Sequence, residues 1–212
     1  MLLGSNREEG RSSGTAFIKF TPQDYTAWVT RLVGASNTTA ALVEYPVDKY
    51  SGPYAIPYVV GDFITDSGMR GLGGCPNLTL AKALASQTPT YYFQFEDSNP
   101  LAPSSPAGYV YLASHSAEIP FVFPPDAMTP AFNAGQRQLS NEMIRYWGAF
   151  TKNHDPTVSG QAAWPRLAGS GGVMMSLRPA GASQATPVEQ FEQLHKCKLW
   201  SKMPQILNRG EI

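Results

Sequence analysis

No run of about 18 apolar residues, the length a membrane-spanning helix needs, occurs in the 212 residues. Charge is scarce too: Asp, Glu, Lys and Arg make up 15% of the chain, against about a quarter in an average protein. The 16 basic and 16 acidic residues cancel to a formal net charge of zero. That balance removes the electrostatic reason to expect nucleic acid or an anionic membrane as a partner. Cysteine is limited to Cys75 and Cys197, far apart and without the C-x-x-C spacing of a zinc site. Also missing are a Gly-rich phosphate loop and an H-E-x-x-H pair; the one G-x-S-x-G match, Gly10 to Gly14, lies in a polar loop and not on a strand-to-helix turn. The first residues have neither the basic nor the apolar region of a signal peptide. Leu2-Leu3-Gly4 reads instead as the tail of a buried strand, with further sequence expected upstream of it.

What is present fits a folded, loop-rich enzyme. Hydrophobic residues are 42% and aromatics 11%, with 19 Gly and 18 Pro. After a polar loop from Ser5 to Gly14, Thr21-Pro22-Gln23-Asp24 has the form of a helix start. Tyr25, Trp28, Val29 and Leu32 recur at helical spacing until Gly34. A second helix is expected over Thr38 to Tyr45, then a loop over Tyr50 to Tyr58. Val59 to Ser86 reads as a helix in two pieces, broken at Gly71-Leu72-Gly73-Gly74 and resuming at Pro76. Thr90 to Phe95 is β-branched and aromatic and reads as a strand buried on both faces. A Pro- and Ser-rich loop from Ser98 to Gly108 leads to His115.

Gly135 to Thr151 has the helical period, with Leu139, Met143, Ile144, Trp147 and Phe150 on one face. Val173 to Leu177 reads as a strand and Val188 to Met203 as a closing helix. Three strands among so many helices predict the α/β class and one side of a larger sheet.

Several segments, in order, resemble the type-B carboxylesterase family, which includes cholinesterases and fungal lipases. Gly4-Ser5-Asn6-Arg7-Glu8-Glu9-Gly10 resembles its G-x-N-x-D-E-G segment, with Glu8 replacing the usual Asp. His115-Ser116-Ala117-Glu118-Ile119-Pro120-Phe121-Val122-Phe123 resembles its H-[GS]-x-E-[IL]-x-[FY]-[VL]-F segment. Gly61-Asp62-Phe63-Ile64-Thr65-Asp66 with Cys75-Pro76 resembles its Asp-containing helix leading to C-P; either Asp62 or Asp66 can match the buried aspartate. Tyr146 to Thr151 with Asp155-Pro156, Trp164-Pro165, and His195 to Trp200 complete the series, which spans essentially the whole chain.

The resemblance implies that residues 1–212 are the carboxyl-terminal portion of one α/β-hydrolase domain. The nucleophile elbow and oxyanion hole then lie in an absent amino-terminal portion. Glu9 is implied as the triad acid and His115 as its histidine, acting on a small-molecule carboxylic ester with no cofactor. Gly169-Ser170-Gly171-Gly172 follows the histidine, the wrong order for the nucleophile, and reads as a turn. Cys75 and Cys197 are either free buried thiols or, as the resemblance implies, a disulfide, which would mean a secreted or otherwise extracytoplasmic protein. Arg11-Ser12-Ser13 stand where cholinesterases place aromatics, which argues against choline esters. Glu118 is expected to support His115, and His154 and His195 to be structural or surface residues. Asn37-Thr38-Thr39 and Asn77-Leu78-Thr79 are glycosylation sequons. The rivals are a non-catalytic adhesion protein of the same fold, which the presence of both Glu9 and His115 opposes, and a lipase or amidase.

Overall fold

The computed structural model describes residues 1–101, 106–124, 131–168 and 171–203. At its centre is strand β2 (Tyr91–Phe95), whose alternating side chains are buried against different helical layers. Tyr91 and Phe95 join the core built on α6 (Ala134–Asn153), with Leu139, Met143, Tyr146 and Trp164. Tyr92 enters the opposite core, with Leu78 and Ala81 of α4 (Gly74–Ala85) and Phe191 of α7 (Val188–Leu194). A strand buried on both faces carries a nearly continuous apolar run, which Tyr91-Tyr92-Phe93-Gln94-Phe95 supplies apart from Gln94. β1 (Leu2–Asn6) and β3 (Val173–Leu177) flank β2 in parallel, and β4 (Gln184–Pro187) pairs antiparallel with β3. β1 is thus an edge of the sheet among the described residues.

A third core belongs to helices α1 (Pro22–Val33), α2 (Ala35–Glu44) and α3 (Ala55–Ser67). α1 starts on a full capping box, with Thr21 and Asp24 each accepting from the other's backbone N–H and Pro22 in the first turn. It buries Tyr25, Trp28, Val29 and Leu32, the four residues at helical spacing. Trp200 of the short α8 (Cys197–Trp200) stacks edge-on to Phe63 at 4.9 Å between ring centroids.

The differences from the sequence reading have local causes. α3 begins at Ala55, inside the stretch expected to be a loop, because Pro57 sits in its first turn, where a missing N–H costs nothing. α2 starts at Ala35, directly after Gly34 turns the chain with φ 82°. The break after α3 is an αL cap at Gly68 followed by a 3-10 turn, Met69–Gly71, and α4 resumes at Gly74, two residues before Pro76. β4 went unread because three of its four residues are exposed and it ends on Pro187, as an edge strand can. The closing helix is two helices, α7 and α8, divided at Lys196, whose φ is 53°. Ile144, expected on the buried face of α6, is 39% exposed, and Tyr146 takes that place. Gly169 and Ser170 lie outside the described residues, as do residues 102–105 of the loop before His115.

Cys75 and Cys197 are joined as a disulfide, tying α4 to α8 across 122 residues of sequence. Thiol titration of the denatured, unreduced protein is expected to find no free thiol. Replacing both cysteines by Ser should cost up to about 4–5 kcal/mol in chemical denaturation, the chain-entropy value for a loop this long.

Candidate active site

In an open α/β sheet, functional residues gather just beyond the carboxyl ends of the strands. Glu9 opens a 3-10 turn, Glu9–Arg11, three residues after β1 ends at Asn6. His115 lies on the connection that leaves β2 and enters α5 (Ile119–Val122). The parallel register sets Asn6 opposite Phe95, so both connections leave the sheet at the same level. The two segments then bond directly: the Glu8 N–H donates to the Ala113 carbonyl at 3.1 Å and the His115 N–H to the Glu9 carbonyl at 3.1 Å.

Two close approaches fix the acid. Gly10 donates to Thr65 Oγ1 at 2.8 Å, and a Cβ on Gly10 would meet the Gly61 carbonyl at 2.4 Å, so the turn lies flat on α3. Gly73, with φ 50°, lies so near that its Cβ would meet Glu9 Cγ at 2.6 Å. The Gly-rich break between the two helical pieces is therefore a wall of the Glu9 pocket. Next in the turn, the buried Arg11 guanidinium reaches Asp62 at 3.4 Å and lies 4.4 Å from the Tyr58 ring centroid. Asp62 also takes Lys49 at 2.7 Å and the Tyr50 hydroxyl at 2.8 Å.

Both carboxylate oxygens of Glu9 are engaged. Oε1 accepts the Asn6 backbone N–H at 2.8 Å, and Oε2 lies 2.9 Å from His115 Nδ1. An ionised carboxylate only accepts, so the ring proton belongs on Nδ1 and the lone pair of neutral His115 on Nε2. Nε2 has no hydrogen-bond partner among the described residues, and the His115 side chain is 55% exposed. The bond to Glu9 raises the His115 pKa above its ordinary 6.5; partial burial opposes this, and the Glu9 and Glu118 charges reinforce it. Glu8, the departure from the family pattern, accepts the Ala113 N–H at 3.2 Å through its longer side chain. Burial raises its pKa against the pull of Arg7 and Arg11.

A second His–carboxylate pair differs in the one respect that matters. His195 is 2% exposed, with Nδ1 2.6 Å from Asp66 Oδ1 and Nε2 2.5 Å from Gln94 Nε2. With both ring nitrogens occupied it has no lone pair to offer, and it is structural, as is Asp66, the more deeply buried of the two candidate aspartates. His154 is the exposed αL cap of α6. Sequence reasoning gave Asn6, Arg11 and Gly73 no role at this site. The first was visible only as one letter of a motif, and the others act through contacts no spacing encodes.

A mixed, mainly parallel sheet clothed by helices, with a carboxylate and an imidazole joined at the carboxyl ends of its parallel strands, defines an α/β-hydrolase portion. The chain belongs to the carboxylesterase family, whose model matches residues 26–200, a span that includes His115 but not Glu9. It is 27% identical to cocaine esterase of Homo sapiens over 140 residues, 64% of this chain and 24% of that protein. With the medium-chain fatty acyl-CoA hydrolase precursor of Anas platyrhynchos it shares 32% over 81 residues, 37% of this chain and 14% of that one. The solved structure of PNB esterase superposes with a TM-score of 0.60 at 21% identity, covering 92% of this chain and 37% of that one. The matches to the two curated relatives thus span about a quarter of their length or less.

Three substitutions at two positions probe the acid's pocket and the histidine loop. Gly73→Ala places a methyl against Glu9 in a left-handed backbone and should cost about 1–2 kcal/mol from the backbone alone. It should also push the Glu9 carboxylate from His115, read as a fall of the His115 pKa in an NMR titration. Ser116, at φ 69°, already bears the left-handed penalty; Ser116→Gly should be neutral or stabilising, while Ser116→Val should destabilise by about 1–2 kcal/mol in thermal unfolding.

Proposed function

We propose that this chain supplies Glu9 and His115 of a Ser–His–Glu triad that hydrolyses small carboxylic esters through an acyl-serine. The serine elbow and the oxyanion N–H groups come from sequence amino-terminal to residues 1–212, the chain being the carboxyl-terminal portion of one hydrolase domain. The observation that carries the reading is the Nδ1–Oε2 bond together with the unpartnered, exposed Nε2. Nε2 takes the serine proton as the serine oxygen attacks the ester carbonyl, and returns it to the departing alkoxide. A water then repeats the cycle on the acyl-serine and releases the carboxylic acid. Glu9 holds the ring in the Nδ1–H tautomer throughout and stabilises the imidazolium formed in each half.

Three features agree with this. Val110, Ile119 and Phe123, before and after His115 in the chain, are 50%, 49% and 73% exposed, apolar side chains available to upstream sequence. β1, the strand before the acid, has one neighbour among the described residues and a second edge free to pair with an upstream strand. Arg11, where cholinesterases place an aromatic, is buried with Asp62 and Tyr58, in keeping with a general ester rather than a choline ester. The Cys75–Cys197 bond supports an extracytoplasmic setting. No described helix is long and apolar enough to cross a membrane.

The test is turnover of a short-chain p-nitrophenyl ester with a serine-directed fluorophosphonate probe. Residues 1–212 alone should be unlabelled and no faster than free imidazole. Inhibitor-sensitive turnover with a labelled serine inside residues 1–212 would overturn the proposed division of the triad. In the longer enzyme, His115→Ala should lower kcat by ~10⁴–10⁶. The acid limb of kcat/KM should lie above pH 6.5, because neutral His115 is the base and its pKa is raised. The sign for stability is opposite: the Glu9–His115 pair stabilises the fold below pH 6.5 and loses that contribution as pH climbs through the raised value.

A further inference from the structure

We propose that Asn6 is the positioning residue of the Glu9–His115 pair, a single buried residue whose backbone N–H holds the acid and whose side-chain amide holds the histidine loop. Asn6 is the last residue of β1 and is 1% exposed. Its backbone N–H donates to Glu9 Oε1 at 2.8 Å. Its side-chain Nδ2 donates to the Ser114 carbonyl at 2.7 Å and to Glu118 Oε2 at 2.5 Å. One residue thus holds the acid, the peptide immediately before His115, and the carboxylate one helical turn after it. Among the described residues, the other direct bonds between the two segments fall before His115 or on His115 itself: Glu8 with Ala113, the Arg11 carbonyl with the Tyr109 hydroxyl, and the Glu9 carbonyl with the His115 N–H. Asn6 bonds the histidine loop on both sides of His115.

The loop needs such a hold. Leu112 and Ser116, three residues before and one after His115, have φ values of 52° and 69°. Non-Gly residues leave that region unless their surroundings determine it. Asn is the residue that fits, because its amide presents two N–H donors to two acceptors. Asp at this position would set lone pairs against a carbonyl and a carboxylate. Ala would leave both acceptors without their buried donor, the costly half of breaking a hydrogen bond. The acidic partner also explains Glu118: its carboxylate accepts from Asn6 and holds the start of α5, where it is the N-cap.

This rests on Glu9 and His115 acting as the acid–base pair, and the test separates the two claims. The chain has three histidines, so the ring ¹⁵N shifts of His115, His154 and His195 can be followed separately in residues 1–212. Above its titration, neutral His115 should carry its proton mainly on Nδ1. Glu9→Ala, which removes the acceptor, should abolish that preference; a tautomer ratio unchanged in Glu9→Ala would sink the acid–base reading and Asn6's role with it. Asn6→Ala should lower the Nδ1–H to Nε2–H ratio roughly tenfold, the factor one bond to a charged acceptor is worth, while the buried His195 signals stay in place. An unchanged His115 ratio in Asn6→Ala with His195 intact refutes the proposal alone. Should Asn6→Ala also scatter the His195 signals, Glu118 variants decide. Glu118→Gln keeps an acceptor for Asn6 and loses the charge; Glu118→Ala loses both. A lower ratio in Glu118→Ala than in Glu118→Gln supports the tether, and equal ratios refute it.

Discussion

The parallel pairing of β1 with β2 is the interaction on which the rest depends. Leu2 to Asn6 run alongside Tyr91 to Phe95 without a slip, and a slip of one residue would reverse every side chain of β1. Asn6 would then point away from the histidine loop, and Glu9 would leave its place against α3. The register is protected by burial on both faces of β2, where Tyr91 and Phe95 fill one core and Tyr92 the other. Each such ring contributes about 1.5–3 kcal/mol on burial. The site's geometry is thereby fixed by strands that contribute no catalytic group.

Much of this was legible in the sequence, for reasons that differ by element. α1, β2 and β3 were readable because local chemistry and tertiary role agree: a capping box before a 3.6-residue repeat, and apolar runs where two layers close over a strand. β4 and the Lys196 break were not, because each depends on distant partners. β4 exists through its pairing with β3, and α7 ends where His195 turns inward to Asp66 and Cys197 reaches Cys75. At the site, Glu9 and His115 were legible through resemblance alone. No spacing links residues 106 positions apart. The contribution of Gly73 was not legible, since a close approach of backbone to a side chain leaves no periodic trace.

The buried polar network around His195 shows what the same chemistry does without an opening. Asp66 accepts from the Tyr45 hydroxyl at 2.7 Å, and the Trp200 indole N–H donates to that hydroxyl at 2.7 Å. Burial and the adjacent Asp66 hold the Tyr45 hydroxyl well above its ordinary pKa, so it remains a donor. Through these bonds β2, α2, α3 and α8 share one satisfied cluster, adjacent to the disulfide. A fully satisfied network of this kind specifies a unique packing, and a missing member would leave a buried charge uncompensated.

The two His–carboxylate pairs therefore divide by what lies on the far side of the ring. For His195 it is Gln94, and the imidazole is a cross-brace. For His115 no partner lies there among the described residues, so in the proposed reaction the imidazole has one nitrogen held and one offered. The acid is the better anchored partner: Glu9 is 8% exposed, backed by Gly73, and seated on α3 through Gly10 and Thr65. The base sits on a loop between two left-handed residues and takes its orientation from Glu9 and Asn6. That asymmetry suits proton transfer, in which the carboxylate stays fixed while charge appears on the ring. A preorganised acceptor costs nothing to reorganise at that moment. The contacts that anchor it among the described residues are made within this chain, which in the proposed division of the triad holds the acid–base half apart from the nucleophile.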